Sequence, residues 1–190
     1  MFSGCVILCR RDFLYLELPL TMENFSNRVE ARPASGWIGL SPCPGRRDQD
    51  RDLALDISAI RASGAISLVT LCEQSELDEL GVGTIGRAAL LSGLVWRHLP
   101  IIDFGAPSPT WESIWRVNGP LIRQHLRHGH GVHLHCKGGC GRTGMIAARL
   151  LVELGVAPQA AIERVRAARP CAIETPEQEA AVHQVAMVAE

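Results

Sequence analysis

The sequence carries no basic excess: its formal net charge is −1. General nucleic-acid binders rely on a surplus of Lys and Arg, so no nucleic-acid partner is expected, although a local basic pocket would not show in the total. No apolar run approaches the roughly 20 residues of a membrane-spanning helix, so no membrane span is expected. Two short runs, 5–9 and 13–20, are split by Arg10, Arg11 and Asp12, and the second contains Glu17. A signal peptide puts positive charge ahead of its apolar stretch, and here the order is reversed. There is no CxxC pair of the kind that builds a zinc ribbon or a redox dithiol. The seven cysteines (Cys5, Cys9, Cys43, Cys72, Cys136, Cys140 and Cys171) are odd in number and scattered. Free thiols in a reducing compartment fit that pattern, and a cytoplasmic location is expected. Internal repeats and low-complexity tracts are absent too.

What is present is a chain of 190 residues, 47% hydrophobic and 21% charged, enough for one compact domain with a real core. A shift in composition near Ala34, Ser35 and Gly36 divides it. Residues 1–33 read as an N-terminal extension with no assigned role, either an extra strand or a loose segment. Residues 34–190 read as the compact domain. There strands and helices alternate, which predicts an α/β fold with a roughly five-stranded, mostly parallel central sheet and helices on both faces. Strands are expected at 37–40, 66–71, 95–102 and 132–135, and helices at 53–63, 85–94, 142–154, 158–168 and 176–188. Another helix should start at Ser108-Pro109, with Pro at its first position. Gly119-Pro120 should kink or break it. Trp111 and Trp115 on this helix read as core.

The chemistry concentrates at 131–144. A strand runs into His135-Cys136-Lys137-Gly138-Gly139-Cys140-Gly141-Arg142-Thr143, which opens a helix. A glycine-rich turn at a helix N-terminus aims several backbone N–H groups at one point, and the helix dipole adds partial positive charge. That makes an anion cradle from Lys137, Gly138, Gly139, Cys140 and Gly141. Cys136 sits at its start, where the same field favours the thiolate. Arg142 carries a planar fork suited to two phosphate oxygens. A thiolate below a phosphate held by Arg and amides is a phosphoryl-transfer site. His135 is expected to orient the loop, and the Thr143 hydroxyl to bond the sulfur and help it leave. The departing oxygen needs a general acid. Asp103 is the best candidate: it follows a predicted strand and enters a loop with Gly105, Pro107 and Pro109. Loops after parallel strands gather at one sheet edge, where ligands bind.

His135-Cys136-x5-Arg142-Thr143 resembles the signature of the protein tyrosine phosphatase superfamily. The short domain and the pattern Pro100…Asp103…Pro107 resemble its dual-specificity branch. The sequence is most similar to the cyclin-dependent-kinase-associated type in 66–80, the Asp103 loop, the signature, and Ala172-Ile173-Glu174-Thr175-x-x-Gln178. The resemblance spans about residues 37–188. It implies a metal-free hydrolase with no cofactor, passing through a phosphocysteine intermediate. Its substrate would be a phosphorylated protein, carrying phosphotyrosine, phosphoserine or phosphothreonine. Gln178 matches a family glutamine near the attacking water. Glu174 stands where relatives often have glutamine, and an acid there could repel phosphate. Lys137 also resembles the 3-phosphoinositide phosphatases, although Cys140 replaces their second loop lysine.

Alternatives stay open at this stage: a phosphoinositide or RNA phosphatase, or a catalytically silent module that binds a phospho-ligand. Cys72 and Cys140 are candidate resolving thiols for an oxidised Cys136. His128, His130, His133 and His135 look like a metal cluster, but the turn at 129–131 scatters them and no metal site is expected. Oligomeric state is not encoded in any visible pattern.

Overall fold

The computed structural model of the chain describes residues 25–188. The two apolar runs near the start, with Cys5 and Cys9, lie outside the described residues. Strands β1 (Asn27–Glu30), β2 (Trp37–Ser41), β3 (Ala65–Thr70), β4 (Val95–His98) and β5 (Gly131–His135) form a five-stranded sheet in the order β1-β2-β5-β3-β4. All neighbours pair in parallel except β1 with β2. The mostly parallel α/β sheet expected from the alternation of elements is therefore present. β5 lies at its centre, between β2 and β3, and all its residues are buried.

The helices are α1 (Leu53–Ala62), α2 (Gln74–Glu79), α3 (Ile85–Leu91), α4 (Pro109–Arg127), α5 (Gly141–Glu153), α6 (Pro158–Ala168) and α7 (Pro176–His183). They cover both faces of the sheet. Helix α1 packs on α3 and β3, while α5 packs on α6, α7, β2 and β5. Every residue of α5 except Arg149 is buried, as its nearly all-round apolar sequence requires.

Three expectations need correcting. The sheet begins before residue 34: β1 pairs antiparallel with β2, from Asn27 opposite Leu40 to Glu30 opposite Trp37. Phe25, Val29 and Ala31 join the core, so the shift in composition near residue 34 marks a tight connection between two strands. The strand expected at 95–102 ends at His98. Beyond it the chain still bonds the edge of β3, with the Leu99 amide donating to Thr70 O and the Ile101 amide to Leu71 O. Helix α4 also runs unbroken through Pro120. Pro120 is exposed, so its missing N–H is on the solvent side. The opposite face (Trp111, Trp115, Gly119, Ile122, Leu126) is buried and keeps the helix continuous. Trp111 and Trp115 stack at 5.0 Å in the core, as expected.

Candidate active site

Parallel strands β2, β3 and β5 deliver Ser41, Thr70 and His135 to one edge in register. Cys136 follows directly and is buried. The chain then turns through 136–140 into α5. Gly139 has φ +73, and a Cβ there would meet Ser41 C at 2.3 Å, so only glycine permits this close turn. The Gly139 amide donates to Cys136 Sγ at 3.2 Å. Cys140 precedes the 13-residue α5 and makes no side-chain capping bond; of the first-turn amides, that of Gly141 donates to Glu174 Oε2 at 2.7 Å. The loop is braced from behind. Lys137 O accepts from Arg46 Nη1 at 2.9 Å and from the Cys43 amide at 3.2 Å, and Gly138 O accepts from Arg169 Nη2 at 3.0 Å.

Arg142 is 1% exposed and its fork is held on two sides. Nη1 donates to Glu76 Oε2 at 2.6 Å and to Ile101 O at 2.9 Å; Nη2 donates to Glu76 Oε1 at 2.8 Å and lies 2.8 Å from Asp103 Oδ1. Nε is buried without a partner among the described residues. An orphaned charged donor beside a cradle of amides fits a phosphate oxygen. Burial opposes the Arg142 charge, but Glu76, Cys136 and Cys72 outweigh it and keep the guanidinium protonated. Burial likewise works against the Glu76 carboxylate, yet Arg142 and the Glu73 amide hold it below its ordinary range.

The structure brings Cys136, Arg142 and Asp103 to one edge, joined through the Asp103–Arg142 pair. Asp103 remains 44% exposed in its side chain. Gln178 is fully buried; its Oε1 accepts from the Glu174 amide at 2.9 Å and its Nε2 donates to Gly105 O at 3.2 Å. It therefore ties the Asp103 loop to the segment before α7. His135 turns its ring to Thr70, Nε2 to Oγ1 at 2.8 Å. Thr143 Oγ1 is buried and has no hydrogen-bond partner among the described residues, so the expected bond to the sulfur is not made here.

The cysteines depart most from expectation. Cys140 forms a disulfide with Cys171, so free thiols throughout, and Cys140 as a resolving thiol, do not describe this state. Scattered spacing carries no pairing information; the pairing arises because the segment after α6 passes beside the loop. Cys72 is buried with Cys43 and His135, their donor atoms within 4.8 Å of one another. Cys43 and then burial push the Cys72 thiol up, which disfavours the thiolate a resolving cysteine needs. These three donors are one short of a closed four-ligand zinc set. The four histidines do not gather: His133 bonds Ser41 Oγ at 2.8 Å, and His128 and His130 contact one another edge to face. Burial, then the charge of His135, drive His133 down to about 3, so it stays neutral.

Sequence reasoning missed Glu76, Arg46 and Arg169. Glu76 follows β3 at the same sheet edge and stands at the third position of a capping box with Glu73, a signal that was visible. The two arginines reach the loop from distant segments and left none.

A family model described as Tc-R-P, polymorphic toxin system, DSP-PTPase phosphatase, matches residues 46–156. Cyclin-dependent kinase inhibitor 3 of Rattus norvegicus is 31% identical over 155 residues, covering 79% of this chain and 72% of its own length. The Homo sapiens protein of that name is 28% identical with the same coverage, 79% and 72%. A crystal structure of kinase associated phosphatase, its catalytic-site cysteine replaced by serine, matches with a TM-score of 0.74 at 25% identity, over 84% of this chain and 92% of that one. Tk-PTP in its active form matches with a TM-score of 0.59 at 28% identity, over 78% and 90%. The chain belongs to the DSP-PTPase phosphatases, the dual-specificity branch of the protein tyrosine phosphatase superfamily.

Proposed function

We propose that this protein hydrolyses phosphate monoesters on Cys136, with Arg142 and the loop amides holding the phosphoryl group. The observation that carries the reading is the orphaned Arg142 Nε, buried in the first turn of the helix that follows the Cys136 loop. The arriving phosphate takes Arg142 Nε and Nη2, displacing Asp103. The Cys136 sulfur attacks phosphorus and the ester P–O bond breaks, with protonated Asp103 giving its proton to the leaving oxygen. Water then attacks the phosphocysteine, Asp103 takes its proton, and the S–P bond breaks to return the thiolate. Thr143 supports the departing sulfur and His135 the loop. Gln178 lies against Gly141, where a Cβ would meet its amide at 2.8 Å, and so sits within reach of the water.

The proposed substrate is a phosphorylated protein, on tyrosine or on serine and threonine. Relatives named for kinase inhibition and kinase association favour it. So does the rim: Lys137 is the chain's single lysine, Arg46 is paired with Asp48 at 2.5 Å, and Glu174 and Asp103 offset the remaining charge. A phosphoinositide or RNA substrate would call for a strongly positive rim.

The test is turnover of p-nitrophenyl phosphate, with EDTA present, by wild type, Cys136→Ser and Asp103→Ala. Activity should survive EDTA, vanish in Cys136→Ser and fall about 100-fold or more in Asp103→Ala. Folded wild type without turnover would turn the reading to a phospho-ligand binding module.

A further inference from the structure

The loop meets one more carboxylate than the proposed reaction uses. Glu174 Oε2 accepts from the Gly141 amide at 2.7 Å. Gly141 opens α5 and immediately precedes Arg142, so this N–H is one of the donors that the cradle offers an anion. A Cβ at Gly141 would lie 2.4 Å from Glu174 Oε2, so glycine is what admits the carboxylate.

The exposed Glu174 side chain rests on backbone that is held from several directions. The Glu174 amide donates to Gln178 Oε1 at 2.9 Å. Ile173, just before it, adopts φ 62, and its carbonyl accepts from Arg166 Nη2 at 3.0 Å. Cys171 is bonded to Cys140, next to Gly141. On the far side, Thr175 Oγ1 donates to Phe104 O at 3.4 Å, beside Asp103. Glu174 thus sits on a strap running from the loop to the Asp103 segment.

We propose that Glu174 is a specificity-determining residue: a resident carboxylate that occupies the Gly141 amide in the empty site and must yield it to a phosphoryl oxygen. Displaced, it remains at the rim beside the bound phosphate. It weakens binding of every phosphate monoester and penalises most those carrying a second phosphate nearby, so the site selects singly phosphorylated segments. The proposal rests on the phosphatase reading for its substrate, while anion binding tests it without turnover.

Glu174→Gln keeps the shape and an acceptor for Gly141 and removes the charge. Its KM for p-nitrophenyl phosphate should fall roughly three- to tenfold, with kcat changing much less. In a Cys136→Ser background, the same substitution should tighten inorganic phosphate by a similar factor. The ratio of kcat/KM for a doubly over a singly phosphorylated peptide should rise, which a purely structural role would not produce. Glu174→Ala checks the sign in a side chain that cannot accept the bond, and melting curves confirm that both variants fold. If wild type shows no turnover but Glu174→Gln tightens phosphate, the carboxylate's role stands and the catalytic reading fails. Active wild type with KM, phosphate affinity and peptide ratio unmoved in Glu174→Gln overturns the proposal.

Discussion

Arg142 is a buried cation whose position depends on Glu76, and this dependence sets the clearest residue-scale expectation. Glu76 Oε2 accepts from Arg142 Nη1 at 2.6 Å and from the Glu73 amide at 2.9 Å, so one oxygen joins the arginine to the start of α2. Glu76→Gln removes the charge facing both Nη1 and Nη2 and sets an amide NH2, which cannot accept, against one of them. Phosphatase activity should fall about 10- to 100-fold, since hydrogen bonds to charged groups are worth about 1.5–3 kcal/mol. The same pair predicts a pH dependence. Glu76 is held below its ordinary value of 4.5. Its contribution to stability is therefore complete above that value and lost as pH falls through the lower, folded-state value. Denaturant midpoints of wild type and Glu76→Gln should differ at neutral pH and converge as acidification carries the pH below 4.5 and through the carboxylate's lowered folded-state value. A gap that persists unchanged into acid would mean that the charge is not what Glu76 supplies.

At the scale of elements, α4 and α5 are fastened by a buried polar knot. Glu153, at the end of α5, accepts from Trp115 Nε1 at 2.7 Å, Arg123 Nη1 at 2.5 Å and Arg149 Nε at 2.8 Å. Arg149 also reaches Glu112 at 2.8 Å, back on α4. Such a network costs desolvation to build, but removing one member strands the others. Glu153→Ala should destabilise the protein by about 3–5 kcal/mol, read from chemical denaturation. A loss below about 1 kcal/mol would mean that solvent relieves the arginines. The knot also anchors the far end of the helix whose first turn faces the candidate nucleophile. Helix α5 was legible in the sequence because its signature and apolar run are contiguous. Pairings across elements were not. Glu76 with Arg142, Arg169 with Gly138 and Cys140 with Cys171 link residues that no local pattern relates. The break expected at Pro120 failed for a similar reason: local propensity gave way to the tertiary burial of one helix face.

Across the whole molecule, the alternation of strands and helices was enough to give the α/β class and the parallel sheet, because buried parallel strands and their crossover helices have distinct periods. The antiparallel edge strand β1 was harder to see: Asn27–Glu30 is short, with one fully buried residue, Val29. Its contribution comes from pairing with β2, a contact made across the turn at 31–36. The topology also explains why one edge holds the chemistry. Strands β5 and β3 end together with His135 beside Thr70, and the chain beyond β4 bonds the end of β3, so the loops carrying Cys136 and Asp103 converge with Glu76 in the first turn of α2. The central claim is that this convergence makes Cys136 a nucleophile toward phosphorus. It is tested most directly by rapid quench of the enzyme into alkaline denaturant, where an S-phosphocysteine persists, during turnover of p-nitrophenyl phosphate, followed by mass analysis at alkaline pH of the peptide containing residue 136. Wild type should carry one added phosphoryl group on Cys136, absent from Cys136→Ser. Turnover with no phosphoryl group on Cys136 at any quench time, or with the group on another residue, would contradict the account.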